Sequence, residues 1–100
     1  MLIHSVYFWF KPEVDRERVA AFEAGLADLV RIPDIQSAHF GRPEVTPKRA
    51  VIDDSYDWAL IEIFPDLEAH DRYQAHPIHA EFLGRFGPLW DKVQVYDVRI

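Results

Sequence analysis

The sequence contains no cysteine and no long apolar run, and its acidic residues outnumber its basic ones. Without cysteine, disulfides and thiolate chemistry are excluded. No apolar segment approaches the roughly 20 residues that a membrane-spanning helix needs, and the N-terminal segment lacks a secretory-signal pattern. The balance of 17 acidic against 11 basic residues gives a formal charge of -6, which argues against nucleic acid or an anionic membrane as a partner. We therefore predict a cytoplasmic protein without either partner.

Apolar and aromatic residues are abundant instead. The chain has 100 residues, of which 49% are hydrophobic and 14% are aromatic. This length predicts one domain, residues 1–100, with a single core. The apolar content exceeds what such a core needs, so we expect a second copy of the chain to cover part of the surface. A homodimer is the predicted assembly.

Four apolar runs predict strands at residues 2–10, 35–40, 56–64 and 93–98. The first run is apolar on both faces, which is typical of a strand that is covered on both sides. Residues 43–55 are rich in proline and charge, so we expect a loop there. Within this loop, Val51 and Ile52 are expected to lie on the core or on a partner.

Helix signals fill the gaps between these runs. Asp15 is a typical N-cap, and the apolar residues after it recur with helical spacing, at Val19, Phe22, Leu26 and Leu29. Asp66 is the expected N-cap of a second helical region. Pro77 interrupts that region, because the residue before a proline is pushed out of the α conformation, and a new helix can begin at Pro77 itself. The order β-α-β-β-α-β predicts an α+β, ferredoxin-like fold with a four-stranded antiparallel sheet.

Residues 73–79 concentrate the groups that could carry chemistry, one phenol and two imidazoles around a proline. On a helix that begins at Pro77, His79 lies on the apolar face and points toward the core. That face also contains Phe82, Leu83 and Phe86. A desolvated imidazole stays neutral near pH 7, as a general base requires, and the break could bring the Tyr73 hydroxyl near the ring. The alternative is a structural His79 that is hydrogen-bonded within the core.

Other side chains could contribute to the same site. His76 precedes Pro77, where its ring could cap the new helix or reach a ligand. His4 shares a strand face with apolar residues, so it either lines a pocket or is a buried, bonded group. Among the aromatic residues, Trp58 and Phe82 are expected to reach a cavity.

The spacing of the histidines does not predict a metal site. A metal needs three or four ligands, and His76 and His79 could be joined only by His4 or His39. No metal or other cofactor is therefore predicted. His39 and His70 are expected at the surface.

Several of these segments together resemble the stress-responsive A/B barrel domain (Dabb) family over nearly the whole chain. The segments are Ile3-His4-Ser5-Val6, Ile32-Pro33 with Gly41, Tyr56-Asp57-Trp58-Ala59-Leu60 with Phe64, Tyr73 with His76-Pro77-Ile78-His79, and Val95-Tyr96-Asp97. The resemblance implies a homodimer in which two ferredoxin-like sheets face each other, a dimeric α/β barrel. Such a barrel would explain a strand that is apolar on both faces.

The resemblance also implies two alternative functions. Most family members are uncharacterised or stress-associated, so the first alternative is a non-catalytic homodimeric stress protein that could bind a small apolar ligand. In this alternative the same residues stabilise the barrel. A plant member is a polyketide cyclase that closes a ring by aldol chemistry, with a tyrosine and a histidine that match Tyr73 and His79. Its pocket has a histidine that matches His4, whereas another pocket histidine falls where this chain has Trp58. The second alternative is thus a small acid–base enzyme for a carbonyl-bearing ligand, with His79 as base and Tyr73 as proton donor. The residues expected to contact the substrate are His4, Trp58, His76 and Phe82.

Overall fold

The computed structural model describes residues 1–100 and contains one antiparallel sheet with three α-helices. The strands are β1 (Leu2–Phe10), β2 (Ser37–Gly41), β3 (Trp58–Phe64) and β4 (Trp90–Arg99). The helices are α1 (Arg16–Leu29), α2 (Leu67–Ala75) and α3 (Pro77–Phe86), and a short 3-10 turn (Gly87–Leu89) follows. The strand order is β2-β3-β1-β4, which confirms the predicted α+β, ferredoxin-like fold. None of the helices has the length and apolar character that crossing a membrane requires.

The strand boundaries differ from the sequence expectation at several ends. β4 begins at Trp90, earlier than predicted, because this residue already pairs with Phe10 at the end of β1. β2 and β3 begin later than predicted, at Ser37 and Trp58. The hydrogen-bonded pairing between these two strands defines a shorter ladder than their apolar runs suggest.

Both predicted helix starts are capped as expected. The carboxylates of Asp15 and Asp66 each accept a hydrogen bond from the backbone N–H three residues later, at 3.0 Å and 2.8 Å. The predicted break is also confirmed, since α2 ends at Ala75 and α3 begins with Pro77. Between the two helices, His76 has extended backbone angles of φ -69° and ψ 139°.

One face of the sheet packs against the helices and forms the core. Phe22 of α1 lies near its centre, with its ring centroid 5.1 Å from that of Phe8 and 5.6 Å from that of Phe86. Gly25 of α1 lies under the Phe86 ring, where an added Cβ atom would come within 2.2 Å of a ring carbon. Glycine at this position therefore allows α1 and α3 to approach closely.

The opposite face of the sheet has no helix, and we call it the open sheet face. It contains Ile3, Ser5, Tyr7, Trp9, Ala59, Ile61, Ile63, Tyr96 and Val98. The register places Ser5 in its centre, between Ile61 of β3 and Tyr96 of β4. Tyr96 is 58% exposed and Val98 is 48% exposed. The apolar pattern of β1 thus has two causes, the core on one side and this face on the other.

Candidate functional site

A small cavity lies between the helix-facing side of the sheet and helices α2 and α3. Its volume is about 170 Å³, and 10 of its 13 lining residues are hydrophobic. The other three are His4, Gln74 and His79, and the phenol of Tyr73 also lines it. The cavity, called the His79 cavity below, therefore places two imidazoles and a phenol against apolar walls.

The helix break brings Tyr73 and His79 together. Tyr73 lies near the end of α2, and His79 lies in the first turn of α3. Their ring centroids are 4.8 Å apart and the rings meet edge to face at 71°. Both residues are buried, with exposed fractions of 2% and 8%. The candidate acid and the candidate base thus share one wall of the cavity.

His79 is buried without a hydrogen-bond partner for its Nδ1 atom. Burial lowers the pKa of His79 below its ordinary value, and the neighbouring His4 and His70 lower it further when they are charged. Most buried polar groups have a partner within the protein. The structure shows no Nδ1 hydrogen bond that would account for His79 as a structural residue.

His4 forms a close pair with Asp97, a residue that was not selected from the sequence. The register places them opposite each other on β1 and β4, and His4 Nδ1 lies 2.5 Å from Asp97 Oδ1. A carboxylate can only accept, so Nδ1 donates and Nε2 is left as the acceptor of the neutral ring. Burial lowers the pKa of His4, although the hydrogen bond to Asp97 opposes this effect. The pairing therefore fixes the orientation of the ring.

The prediction that His70 lies at the surface is wrong, whereas His39 is exposed as predicted. The His70 side chain is only 14% exposed because α2 packs it over β1, where its ring centroid lies 4.8 Å from that of His4. Periodicity within so short a helix did not reveal this contact. His4, His70 and Asp97 are the residues that could hold a metal ion, since one ligand atom of each lies within 4.8 Å of the others.

The two aromatic residues expected at a cavity lie in different places. Phe82 lines the His79 cavity, as does Leu83 at its rim. Leu83 is 46% exposed, so the apolar face of α3 is narrower than its spacing suggested. Trp58 is buried beside other aromatic rings and lines a separate groove, with Arg42 5.2 Å above its ring. The structure therefore does not bring Trp58 to the His79 cavity.

His76 lies at the junction of α2 and α3, outside the lining of the cavity. Its Nδ1 atom accepts a hydrogen bond from the Ile78 backbone N–H at 3.1 Å. This bond caps α3, as one of the two alternatives for His76 predicted.

Glu62 is a further buried polar residue of this region, and it was not selected from the sequence. It lies in β3 next to His4 of β1 and has an exposed fraction of 0%. Burial raises the pKa of Glu62 to about 7, with a smaller opposing effect from the Tyr73 hydroxyl. The alternation of β3 could have revealed it, since Glu62 occupies the same core-facing positions as Leu60 and Phe64.

Comparison with protein families places the chain in a known group. The chain matches the Dabb family, described as the stress responsive A/B barrel domain, over residues 2–100. The chain belongs to this family. Membership confirms the resemblance that the sequence segments predicted. No curated protein matches this Dabb chain.

Solved structures with the same fold come from plants and bacteria. The protein At3g17210 of Arabidopsis thaliana is 29% identical with a TM-score of 0.82, and the match covers 100% of this chain and 95% of that one. A hydroxynitrile lyase from Passiflora edulis is 21% identical with a TM-score of 0.82, covering 99% and 92% of the two chains. A dimeric ferredoxin-like protein of unknown function from Thermobifida fusca is 20% identical with a TM-score of 0.81, covering 99% and 90%. At 21% and 20% identity, the similarity to the Passiflora edulis and Thermobifida fusca proteins shows only that the fold is shared.

Proposed function

We propose that this Dabb-family protein binds a small, largely apolar carbonyl compound in the His79 cavity and acts on it by acid–base catalysis. The observation that carries the proposal is the cavity itself, which is lined by His79 and Tyr73 on otherwise apolar walls. Its volume of about 170 Å³ resembles that of apolar protein cavities that hold a benzene ring. A ligand with one aromatic ring or a short alkyl chain is therefore the expected size.

In this proposal His79 is the general base. Its lowered pKa keeps the imidazole neutral at physiological pH, and its ring lines the cavity in which a ligand would bind. Its buried Nδ1 atom has no hydrogen-bond partner in the protein that would hold the ring in a structural role. These are the properties that a base needs and that a structural histidine lacks.

Tyr73 is the proton donor to the carbonyl oxygen. Burial raises the pKa of its phenol, so the hydroxyl remains protonated and available for donation. Its ring meets that of His79 at 4.8 Å, so one small substrate can contact both groups. In the cleavage of a β-hydroxyketone, His79 takes the hydroxyl proton, the carbon–carbon bond breaks, and Tyr73 protonates the enolate oxygen. The products are an aldehyde and an enol.

Two relationships support carbonyl chemistry. The residues Tyr73 and His79 match those implied by resemblance to the polyketide cyclase, which forms carbon–carbon bonds by aldol chemistry. The Passiflora edulis protein of the same fold is a hydroxynitrile lyase, and hydroxynitriles are adducts of carbonyl compounds. Both reactions require a base and a proton donor beside one carbonyl carbon, as the His79 cavity would provide.

We also propose that the protein is a homodimer that buries its open sheet face. That face is apolar and lacks a helix, and large exposed apolar patches are typical of interaction sites. Similar structures from Thermobifida fusca and Jannaschia are described as dimeric, at 20% and 24% identity. The partner expected here is a second copy of the chain.

The experiment measures the release of benzaldehyde from 4-hydroxy-4-phenylbutan-2-one and from mandelonitrile. Both probes carry one aromatic ring, and both are carbonyl adducts. Wild-type protein should release benzaldehyde faster than buffer, and His79→Gln should lower kcat by about 100-fold or more while it keeps the fold. Glu81→Gln is the control, because Glu81 is an exposed residue of the same helix, α3, and does not line the cavity. Binding of benzaldehyde without turnover would instead support the non-catalytic ligand-binding alternative.

A further inference from the structure

Glu62 is the buried ionisable group that the proposed reaction leaves unused. Its exposed fraction is 0%, and neither of its carboxyl oxygens has a hydrogen-bond partner. Buried polar groups without partners are costly and uncommon in proteins. We therefore expect the Glu62 carboxyl group to have a function that offsets the cost of burying it.

The titratable groups around Glu62 are weak acids and bases. On the sheet, its neighbours are His4 of β1 and Ala38 of β2. From α2, the Tyr73 ring packs over this part of the sheet, with its centroid 6.3 Å from that of His4 and 5.1 Å from that of Phe64. This packing brings the Tyr73 hydroxyl toward the Glu62 carboxyl, and the His70 ring lies 4.8 Å from that of His4. Since none of these is a lysine or an arginine, burial dominates and raises the pKa of Glu62 to about 7. Both protonation states are thus accessible near neutral pH.

A negative charge on the Tyr73 oxygen is unfavourable. Its pKa is raised by burial and then by the neighbouring Glu62. If Tyr73 alone gave its proton to a substrate oxygen, a tyrosinate would remain in an apolar environment. A carboxylate at Glu62 costs less, because Glu62 has the lower pKa of the two groups.

We propose that Glu62 is the proton reservoir behind Tyr73, a role that rests on the function proposed above. As the Tyr73 O–H bond breaks and its proton moves to the enolate oxygen, the Glu62 O–H bond breaks and that proton moves to the Tyr73 oxygen. Tyr73 ends neutral, Glu62 ends as a carboxylate, and His79 ends as an imidazolium. The enol then becomes the ketone when His79 protonates its carbon and the enol proton returns through Tyr73 to Glu62. All three residues regain their starting states.

Glu62 acts here through Tyr73 and is a positioning residue, since it does not line the His79 cavity. The variant Glu62→Gln keeps the shape of the side chain and removes its exchangeable acid proton. The matched control is Glu68→Gln, which changes an exposed glutamate in the first turn of α2. The two probes are 4-hydroxy-4-phenylbutan-2-one and mandelonitrile, with benzaldehyde release as the signal.

Glu62→Gln should lower kcat by about 10-fold or more with little change in KM, because the loss affects proton transfer and leaves binding intact. The Glu62 ionisation near neutral pH should also disappear from the pH profile of kcat. The control Glu68→Gln should preserve both kcat and its pH profile. If His79→Gln abolishes turnover and Glu62→Gln leaves kcat and its pH profile unchanged, the proposed role of Glu62 is refuted and the proposed function stands.

If the wild-type protein acts on neither probe, or if Glu62→Gln does not fold, a measurement without substrate tests the protonated Glu62 that the reservoir requires. The infrared band of protonated carboxyl groups is titrated in wild-type protein and in Tyr73→Phe. The reservoir requires a buried carboxyl group that loses its proton near neutral pH, with a pKa that rises in Tyr73→Phe because Tyr73 normally lowers it. A Glu62 that is ionised throughout, or that does not respond to Tyr73→Phe, overturns the proposal.

Discussion

Tyr73 and His79 meet edge to face, with ring centroids 4.8 Å apart, across a helix break that begins at Pro77. On one continuous helix, two residues six positions apart would point about 120° away from each other around the axis. The break changes the direction of the chain, so both rings reach the same cavity. The candidate chemistry of this protein therefore depends on a backbone feature as much as on the two side chains.

The cap at this break gives the first prediction. His76→Ala removes the Nδ1 acceptor of the Ile78 N–H, so the free energy of unfolding should fall by about 1 kcal/mol. Benzaldehyde binding should be unchanged, because His76 does not line the cavity. Denaturant titration and ligand titration measure the two effects. An unchanged denaturation midpoint together with lost affinity would show that His76 contacts the ligand.

Two glycine-to-alanine variants test the close packing of α1 against α3. Gly25→Ala should destabilise the protein by about 1–3 kcal/mol, because its Cβ atom would overlap the Phe86 ring. Gly84→Ala meets open space on α3 and should stabilise the protein by about 0.5–1 kcal/mol. Thermal unfolding of both variants tests the packing. Equal effects from the two substitutions would contradict the predicted overlap at Phe86.

The fold was predictable from local signals, and the site was predictable in part. Asp15, Asp66 and Pro77 act through neighbours in the sequence, so their patterns fixed the helix starts and the break. The alternation of β3 marks Glu62 as core-facing, but which residues lie beside it depends on strand register. Asp97 meets His4 through the register of β1 and β4 alone, and no local pattern reports register. The environment of these residues is a property of the assembled sheet. The cytoplasmic location and the absence of nucleic-acid and membrane partners stay predictions.

The pH dependence of stability tests the buried carboxyl group. Because the pKa of Glu62 is raised to about 7, the folded state holds a proton that the unfolded state releases at lower pH. The Glu62 contribution to stability is therefore largest at acidic pH and falls as the pH rises to about 7. The lowered pKa values of His4 and His79 act in the opposite direction, since those groups release protons on folding.

Subtracting the unfolding free energy of Glu62→Gln from that of the wild type isolates Glu62. The difference should fall by roughly 2 kcal/mol between mildly acidic and mildly alkaline pH. Urea titrations across this range, with Glu68→Gln as the control, provide the measurement. A difference that does not vary with pH would show that Glu62 is ionised in the folded protein.

The open sheet face predicts the assembly. Wild-type protein should be a dimer at micromolar concentration, with an interface of about 2,000 Å² or more that includes β4 and the loop at residues 51 and 52. Ile61→Glu places a charge near the centre of the face and should give monomers, whereas Ala24→Glu on the exposed side of α1 should not. Light scattering measures both. A well-folded wild-type monomer at micromolar concentration would contradict the dimer.

The most direct test of the account is an NMR titration of the 5 histidines, with His79 assigned by comparison with His79→Gln. The central claim is that His79 is a neutral, unpartnered imidazole in an apolar cavity. Its pKa should therefore lie below the ordinary 6.5, and His79→Gln should remain folded. A His79 that titrates as an exposed histidine does, or a His79→Gln variant that unfolds while His79 never titrates, would contradict the claim.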